Sequence, residues 1–378
     1  MISLHFDARS DETVINALTH DPKAYPVALG CSSCPHIAQC GGLCVKAPIF
    51  DCLDMCCNAP EACTRVCRKA PSARFVDQMR EIGGFDLDTA PHAPTVSHKM
   101  QSDIVPLVYH SSGRVNNLAG DAFALRLPDI VNFRTQKLKF YDRASLCAAY
   151  RIPEDAQLVL SGVNQDHRIE PWWRLGDARK GIIEQMRLIG IDLVTTPNFS
   201  VVLDQPRTDD LHAMKRILIV FAEFAQGGIP CALHPNGRTE RDFERWAAEL
   251  AVRTEIEILS YEFTTGPGRR ARRNWHLNQL AGLAAAAGRD LDIAVRGDPE
   301  VIPFLRRHFR KVIYLEGSAY MKTLKRQRAE RVGNDRLKWM LSRTEPGEPL
   351  DALFAHNLQE RFSLLRSVHY AEQSELPG

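Results

Sequence analysis

The chain has 378 residues, 44% of them hydrophobic and 25% charged, with a formal net charge of +2 at pH 7. That length holds one large domain with an appendage, or two domains, and the near-balanced charge excludes a globally basic protein, so any polyanion site must be local. No apolar run approaches the ~18 residues of a membrane span, and the N-terminus MISLHFDARSDETV lacks the basic-then-apolar layout of a signal peptide; a cytoplasmic protein is the expectation.

In chain order, residues 1–120 read as an N-terminal region built around a cysteine-rich segment. Nine of the eleven cysteines fall between positions 31 and 67, in CSSCPHIAQCGGLC and CLDMCCNAPEACTRVC. Cys34, Cys40 and Cys44 repeat the spacing of Cys57, Cys63 and Cys67, with Cys31 ahead of the first triplet and Cys52 and Cys56 ahead of the second. In a reducing compartment such density points to metal ligation rather than disulfides. An iron–sulfur cluster is favoured by the spacing, and Zn2+ is the alternative. The radical-generating pattern of three cysteines spaced three and two is absent, which gives the metal a structural or docking role.

From about 121 to 331 short apolar runs alternate with amphipathic stretches. The expected strands are AFALRL (122–127), QLVLSGV (157–163), DLVTTP (192–197), PCALHP (230–235), EIEILSYEF (255–263), LDIAVRG (291–297) and KVIYLEG (311–317), with an eighth earlier or later. Helical stretches separate most of them, several closed by Gly. Continuous apolar strands between helices imply a parallel sheet covered on both faces. Without a glycine-rich dinucleotide fingerprint, the α/β class resolves to a (β/α)8 TIM-like barrel over 121–331, and 332–378 reads as a small helical tail.

In such a barrel, chemistry sits at the C-terminal strand ends. Those ends deliver Asp129, Asn164 and Asp166, Asn198 with Asp204 beyond, His234, Tyr261 and Glu262, Arg296, and Glu316. Together they describe a polar pocket. Arg269, Arg270, Arg272 and Arg273 follow Glu262 in a loop whose Gly266 and Gly268 permit a sharp turn, and a second basic run contains Lys322, Lys325 and Arg326. Two basic rims around an acidic pocket fit a nucleic-acid backbone. Trp172 and Trp173 suit either base stacking or buried packing.

The stretch RGDPEVIPFLRRHFRKVIYLEGSAYMKTLKRQR resembles the late strand–helix–strand unit of the tRNA-guanine transglycosylase superfamily, nearest the DNA-acting relatives and the phage-defence glycosylases that excise modified bases. The resemblance covers about 121–331. It implies Glu316 in the nucleophilic carboxylate position, where the family usually has Asp, and Asp204 as a base-recognition acid; Glu262 is the second catalytic choice, because the arginine loop beside it would carry a flipped nucleotide's phosphates past its carboxylate. The strand-end groups Asp129, Asn164, Asp166, Asn198, His234, Arg296 and Tyr261 are the expected substrate contacts. The family's C-terminal zinc site is missing, which favours cleavage of the base–sugar bond over base exchange. The expected function is an N-glycosylase acting on a modified base in DNA, with RNA as another partner. Base exchange on DNA or tRNA, a non-catalytic metal-containing binding module and a hydrolase of a phosphorylated small molecule are the alternatives. The purified protein is expected to carry iron with visible absorbance, or else zinc. Metal analysis finding neither, with the nine thiols freely titratable in the folded protein, would remove this assignment.

Overall fold

The computed structural model describes residues 78, 80–110, 113–201, 207–264, 267–268, 270–345 and 347–371. The cysteine segment, Asp204, Gly266 and Arg269 lie outside the described residues. Two compact units are present: Met1–Pro91 with Phe199–Ile219 and Asn236–Arg245, and His92–Asn198 with Val220–Pro235 and Trp246–Gly378.

The second unit is mixed α/β. Its strands are β1 (Ile104–Pro106), β2 (Ala122–Arg126), the short pair β3 (Val131–Asn132) and β4 (Lys137–Leu138), β5 (Gln157–Ser161), β6 (Leu193–Thr195), β7 (Cys231–Ala232), β8 (Ile258–Phe263), β9 (Asp292–Gly297) and β10 (Lys311–Glu316). The helices are α1 (Leu127–Ile130), α2 (Arg143–Tyr150), α3 (Asp166–Arg174), α4 (Ala178–Ile189), α5 (Arg207–Gln226), α6 (Glu240–Val252), α7 (Arg270–Ala286), α8 (Ile302–Leu305) and α9 (Ser318–Leu324); α5 and α6 begin in the first unit. Two four-stranded sheets form, in the orders β1-β10-β9-β8 and β2-β5-β6-β7. Every neighbour in them is parallel. Parallel bridges Leu107↔Ala124 and Leu233↔Leu259 join the sheets at both edges. All seven expected strands are present, and the eighth is the earlier one, β1.

Local chemistry sets the ends of these elements. Asp142 caps α2 by accepting from Ser145 N at 2.7 Å, and Ser145 Oγ answers by accepting from Asp142 N at 3.3 Å, a reciprocal capping box. Gly190, at φ +79°, ends α4 in the left-handed region that glycine enters without strain.

The core shows the two-residue pleat of a strand. Val105, Leu107, Ala122, Ala124, Val159, Leu193, Ala232, Ile258, Ala294, Ile313 and Leu315 form one buried cluster. Their alternate positions define the core-facing side of each strand. The opposite side is buried as well, at Phe123, Leu158, Leu160, Leu259 and Val312 among others, so these strands look uniformly apolar in sequence.

In the first unit, buried charges are paired. Arg238 Nε lies 2.8 Å from Asp210 Oδ2, and the buried Lys215 ammonium donates to Gly83 O and Thr89 Oγ1. Thr239 and Asp242 cap α6 reciprocally, Thr239 N donating to Asp242 Oδ2 at 3.0 Å and Asp242 N to Thr239 Oγ1 at 3.3 Å.

The C-terminal tail departs from the helical expectation. Residues 327–332 and 336–341 form an antiparallel hairpin, β11 (Gln327–Val332) and β12 (Arg336–Leu341), before α10 (Asp351–Val368). Gly333, at φ +66°, opens the Gly-Asn-Asp turn that reverses the chain. Fully buried Asn357 of α10 ties the pieces together: its Oδ1 accepts from Ala329 N, and its Nδ2 donates to Gln327 O and Thr323 Oγ1, each at 2.8 Å.

At the N-terminal end of β9, Arg310 grips buried Asp292 with two hydrogen bonds of 2.9 Å, and His98 Nε2 lies 2.8 Å from the same carboxylate. Met100 N donates to His98 Nδ1, which leaves Nε2 as the donor to Asp292. Burial pushes the Asp292 carboxyl upward, but hydrogen bonds from His98 and Arg310 outweigh it and hold it below its usual value. Its stabilisation is therefore full above the unfolded value of ~3.9 and lost as pH falls through the lower folded value. Urea unfolding across the acid range should show Asp292→Asn destabilised at neutral pH, with a shallower loss of stability on acidification. Matching acid limbs in the two proteins would contradict this.

Candidate active site at the strand ends

Pleat parity decides which strand-end side chains share a face. Glu262 follows Ile258 by four residues and Arg296 follows Ala294 by two, so both lie on the core-facing side. They are partners in the β8–β9 register. Arg126 and Ser161 are partners in the β2–β5 register and share that side with Ala124 and Val159. Thr195 follows Leu193 likewise and accepts from Gly162 N at 2.8 Å.

Glu262 is 7% exposed and accepts from Thr264 N at 2.9 Å and from the Thr264 hydroxyl. The chain turns immediately after it. A Cβ on Gly268 would stand 2.0 Å from Phe263 O, and one on Gly297 2.4 Å from Phe263 C. Gly268 is thus required for close approach of the backbone. Arg296 donates one bond, to Val163 O at 3.2 Å, and forms no ion pair among the described residues. A half-buried guanidinium without a carboxylate partner is receptive to an anion.

Beside Glu262 stand two buried imidazoles. His234 stacks on Tyr261 at 5.2 Å between ring centroids, its backbone N–H donates to Thr196 Oγ1 at 2.9 Å, and its ring Nδ1 has no hydrogen-bond partner among the described residues. Tyr261 Oη and His276 Nδ1 are 2.8 Å apart. Burial pushes His234 down to about 4 against the upward pull of Glu262. His276 is pushed down to about 4 by burial and by Arg272, again against Glu262.

Asp129, on α1 just beyond β2, is clamped by Arg126 at 2.5 Å and Arg168 at 3.0 Å. The Arg126 guanidinium also lies 4.2 Å over the Tyr109 ring. Asp129 therefore positions two arginines. Asn198 Oδ1 accepts from Asn164 N at 3.0 Å, and Asn164 Nδ2 and Ser161 Oγ are buried without hydrogen-bond partners among the described residues. Such groups mark a place for water or a polar ligand. Asp166 is exposed in the first turn of α3.

Several expected site residues sit elsewhere. Glu316 is one residue past core-facing Leu315, so it points to the opposite side. There it is 1% exposed, accepts from Ser318 N and Ala319 N at the start of α9, and meets Arg361 of α10 at 3.1 Å. That is the environment of a structural anchor. Tyr261 likewise turns from the core-facing side towards α7. Arg270, Arg272 and Arg273 lie in the first turn of α7, not in a loop, and Arg273 is neutralised by Asp298 at 2.5 Å and Glu300 at 2.6 Å. Trp172 is buried and stacked on Phe224, and Trp173 lies under Arg179 at 4.5 Å; both are packing residues. Lys322 covers the Trp339 ring at 5.6 Å, Lys325 is exposed and Arg326 half-buried. Sequence reasoning missed Tyr109, Arg126, Arg168 and His276. Arg126 carried a readable signal, as a charge ending an otherwise apolar strand.

No protein-family model, curated protein or solved structure matches the chain. No helix among the described residues is long and apolar enough to cross a membrane.

NMR titration should find both His234 and His276 neutral at pH 7, protonating only near about 4. Since the unfolded chain protonates near ~6.5, stability should be insensitive to these groups above that value and fall as pH drops below it. An inflection near neutrality for either ring would contradict the burial account.

Proposed function

We propose that the chain is a nucleic-acid N-glycosylase, cleaving the base–sugar bond of a modified base in DNA, with Glu262 as its working carboxylate. The same reading closes the two parallel sheets into a (β/α)8 barrel, supported by the bridges at both sheet edges. The observation that carries it is the Glu262–Arg296 juxtaposition: an acid and an arginine that forms no ion pair among the described residues, in register on the core-facing side, at the strand ends. The resemblance to the tRNA-guanine transglycosylase superfamily, read from 121–331, supports the same chemistry.

Cleaving an N-glycosidic bond builds positive charge on the sugar, and a fixed carboxylate lowers that barrier either by stabilising the charge while water adds its hydroxyl to C1′ and gives its proton to the departing base, or by attacking C1′ to form an ester that water then hydrolyses. Glu262 is pre-oriented for this by its two bonds from Thr264. Arg296 would take a phosphate of the extruded nucleotide. His234, neutral and with an unpartnered Nδ1, would exchange a hydrogen bond with the leaving base, and Asn164 Nδ2 would donate to an acceptor on the base edge. The metal expected at the cysteine segment, iron–sulfur or Zn2+, enters none of these steps.

The neutralisation of Arg273 leaves less free charge on that rim than the sequence suggests, which supports a second reading as a hydrolase of a small phosphorylated molecule. Salt dependence separates the two, because several phosphate contacts give a steep log–log slope and one a shallow slope.

Glu262→Gln should lower the rate of base release at saturation ~10²–10³-fold with little change in DNA affinity. Glu316→Gln should lower thermal stability first, because it weakens the Arg361 pair. The assay is alkaline cleavage of modified and unmodified DNA at abasic sites. Wild-type release by Glu262→Gln overturns the assignment of the carboxylate, and absence of abasic product with the wild type on every substrate overturns the enzyme.

A further inference from the structure

The hairpin β11–β12 has two unlike faces. Cross-strand partners in an antiparallel pair project to the same side. Ala329↔Trp339 and Arg331↔Leu337 share one side. It is the occupied one: Ala329 is 1% exposed, and Arg331 bonds to Glu360 and Ser363 of α10. On the other side lie the pairs Arg328↔Met340, Glu330↔Lys338 and Val332↔Arg336, and all six residues are exposed.

Charge is concentrated here. Residues 322–343 hold eight Lys and Arg against two acids, while all 378 residues together carry only +2. On the outward face, Lys338 forms no ion pair among the described residues, Arg336 meets Asp335 only at 3.8 Å with both groups exposed, and Arg328 donates to His356 Nδ1 at 3.2 Å. Three cations therefore lie in a row along a ribbon two strands wide, with one acid among them, and Val332 and Met340 are 44% and 37% exposed between them.

We infer that this outward face docks duplex DNA by lying in its major groove. The inference rests on the nucleic-acid reading above but not on its chemistry. Charge complementarity selects a polyanion. Width selects the duplex form: the B-DNA major groove, ~12 Å wide, admits a two-stranded ribbon, whereas the major groove of A-form RNA is too narrow. Arg328, Arg336 and Lys338 contact phosphates or guanine edges, and Val332 and Met340 supply apolar surface for thymine methyl groups. The strand ends are left for the extruded nucleotide.

The test is fluorescence anisotropy of the full chain with duplex DNA, its single strand and duplex RNA over a salt series. Wild type should bind duplex DNA most tightly. The variant Arg328→Ala/Arg336→Ala/Lys338→Ala should bind it more weakly, with a log–log slope reduced by up to ~0.9 per replaced residue. The control Lys99→Ala/Arg174→Ala/Lys180→Ala, three exposed cations elsewhere in the same unit, should keep the wild-type slope. The charge-preserving Arg328→Lys/Arg336→Lys should also keep it, which separates lost charge from lost fold. The proposal is overturned by an unchanged slope in the hairpin variant, by equal loss in the control, by equal binding of duplex RNA, or by a wild type that binds no duplex. Hairpin-dependent DNA binding without any base release leaves the docking face standing and removes the glycosylase.

Discussion

The site depends on the two-residue period of the strand. At each strand end the pleat permits a side chain only two directions, and the core cluster fixes which is which. Ile258, Ala294 and Leu315 face that cluster. Glu262 and Arg296 must then join them, and Glu316 must not. The consequence is chemical as well as geometric. The core-facing ends hold the groups to which the proposed function assigns the substrate, while Glu316 and Tyr261 on the opposite side meet helices.

The two faces also differ in how they meet the cost of burying charge. Glu316 is satisfied within the fold, by backbone donors at the start of α9 and by Arg361. Removing either partner leaves the other charge buried, so this pair belongs to stability. On the core-facing side the polar groups are left partly unsatisfied: Arg296 has a single backbone acceptor and Ser161 Oγ has none among the described residues, and just beyond the strands Asn164 Nδ2 and His234 Nδ1 have none either. A fold retains such groups at a cost, and a polar ligand is the ordinary way of meeting it. His234 and His276 lie between these cases, kept neutral by burial although Glu262 pulls both towards protonation.

Much of the fold was legible in the sequence. The strand runs are largely apolar, six to nine residues long and mostly separated by amphipathic stretches, so their existence and order could be read directly. Helices of the expected type fill most of the gaps. Strand β1 was obscured because Ile104–Pro106 is three residues long and ends in proline, and β12 because RLKWML has no clean alternation. The site was less legible, for one physical reason. A strand buried on both faces shows no alternation, so sequence alone cannot tell whether a terminal acid points inward or outward. Asp129 could be read as a strand-end carboxylate, but its pairing with Arg126 and Arg168 depends on β2, α1 and α3 converging. The arginine run was visible as charge, whereas its start of a helix and the loss of Arg273 to Asp298 and Glu300 came from tertiary contacts.

Glu262 and Glu316 make the point most sharply. Glu316 is the last residue of its strand and Glu262 the last but one of its own; each is followed two residues later by a hydroxyl residue, and each accepts from that residue's N–H and hydroxyl. Locally they are one motif, and a sequence pattern would assign them one role. What separates them is the register of the neighbouring strand. Glu262 is matched to Arg296, which faces the core side with it, while Glu316 is matched to Pro106 and closes on α10. The strand-end turn fixes the carboxylate in both places, and strand parity decides whether the fixed charge faces the core-side strand ends or a helix.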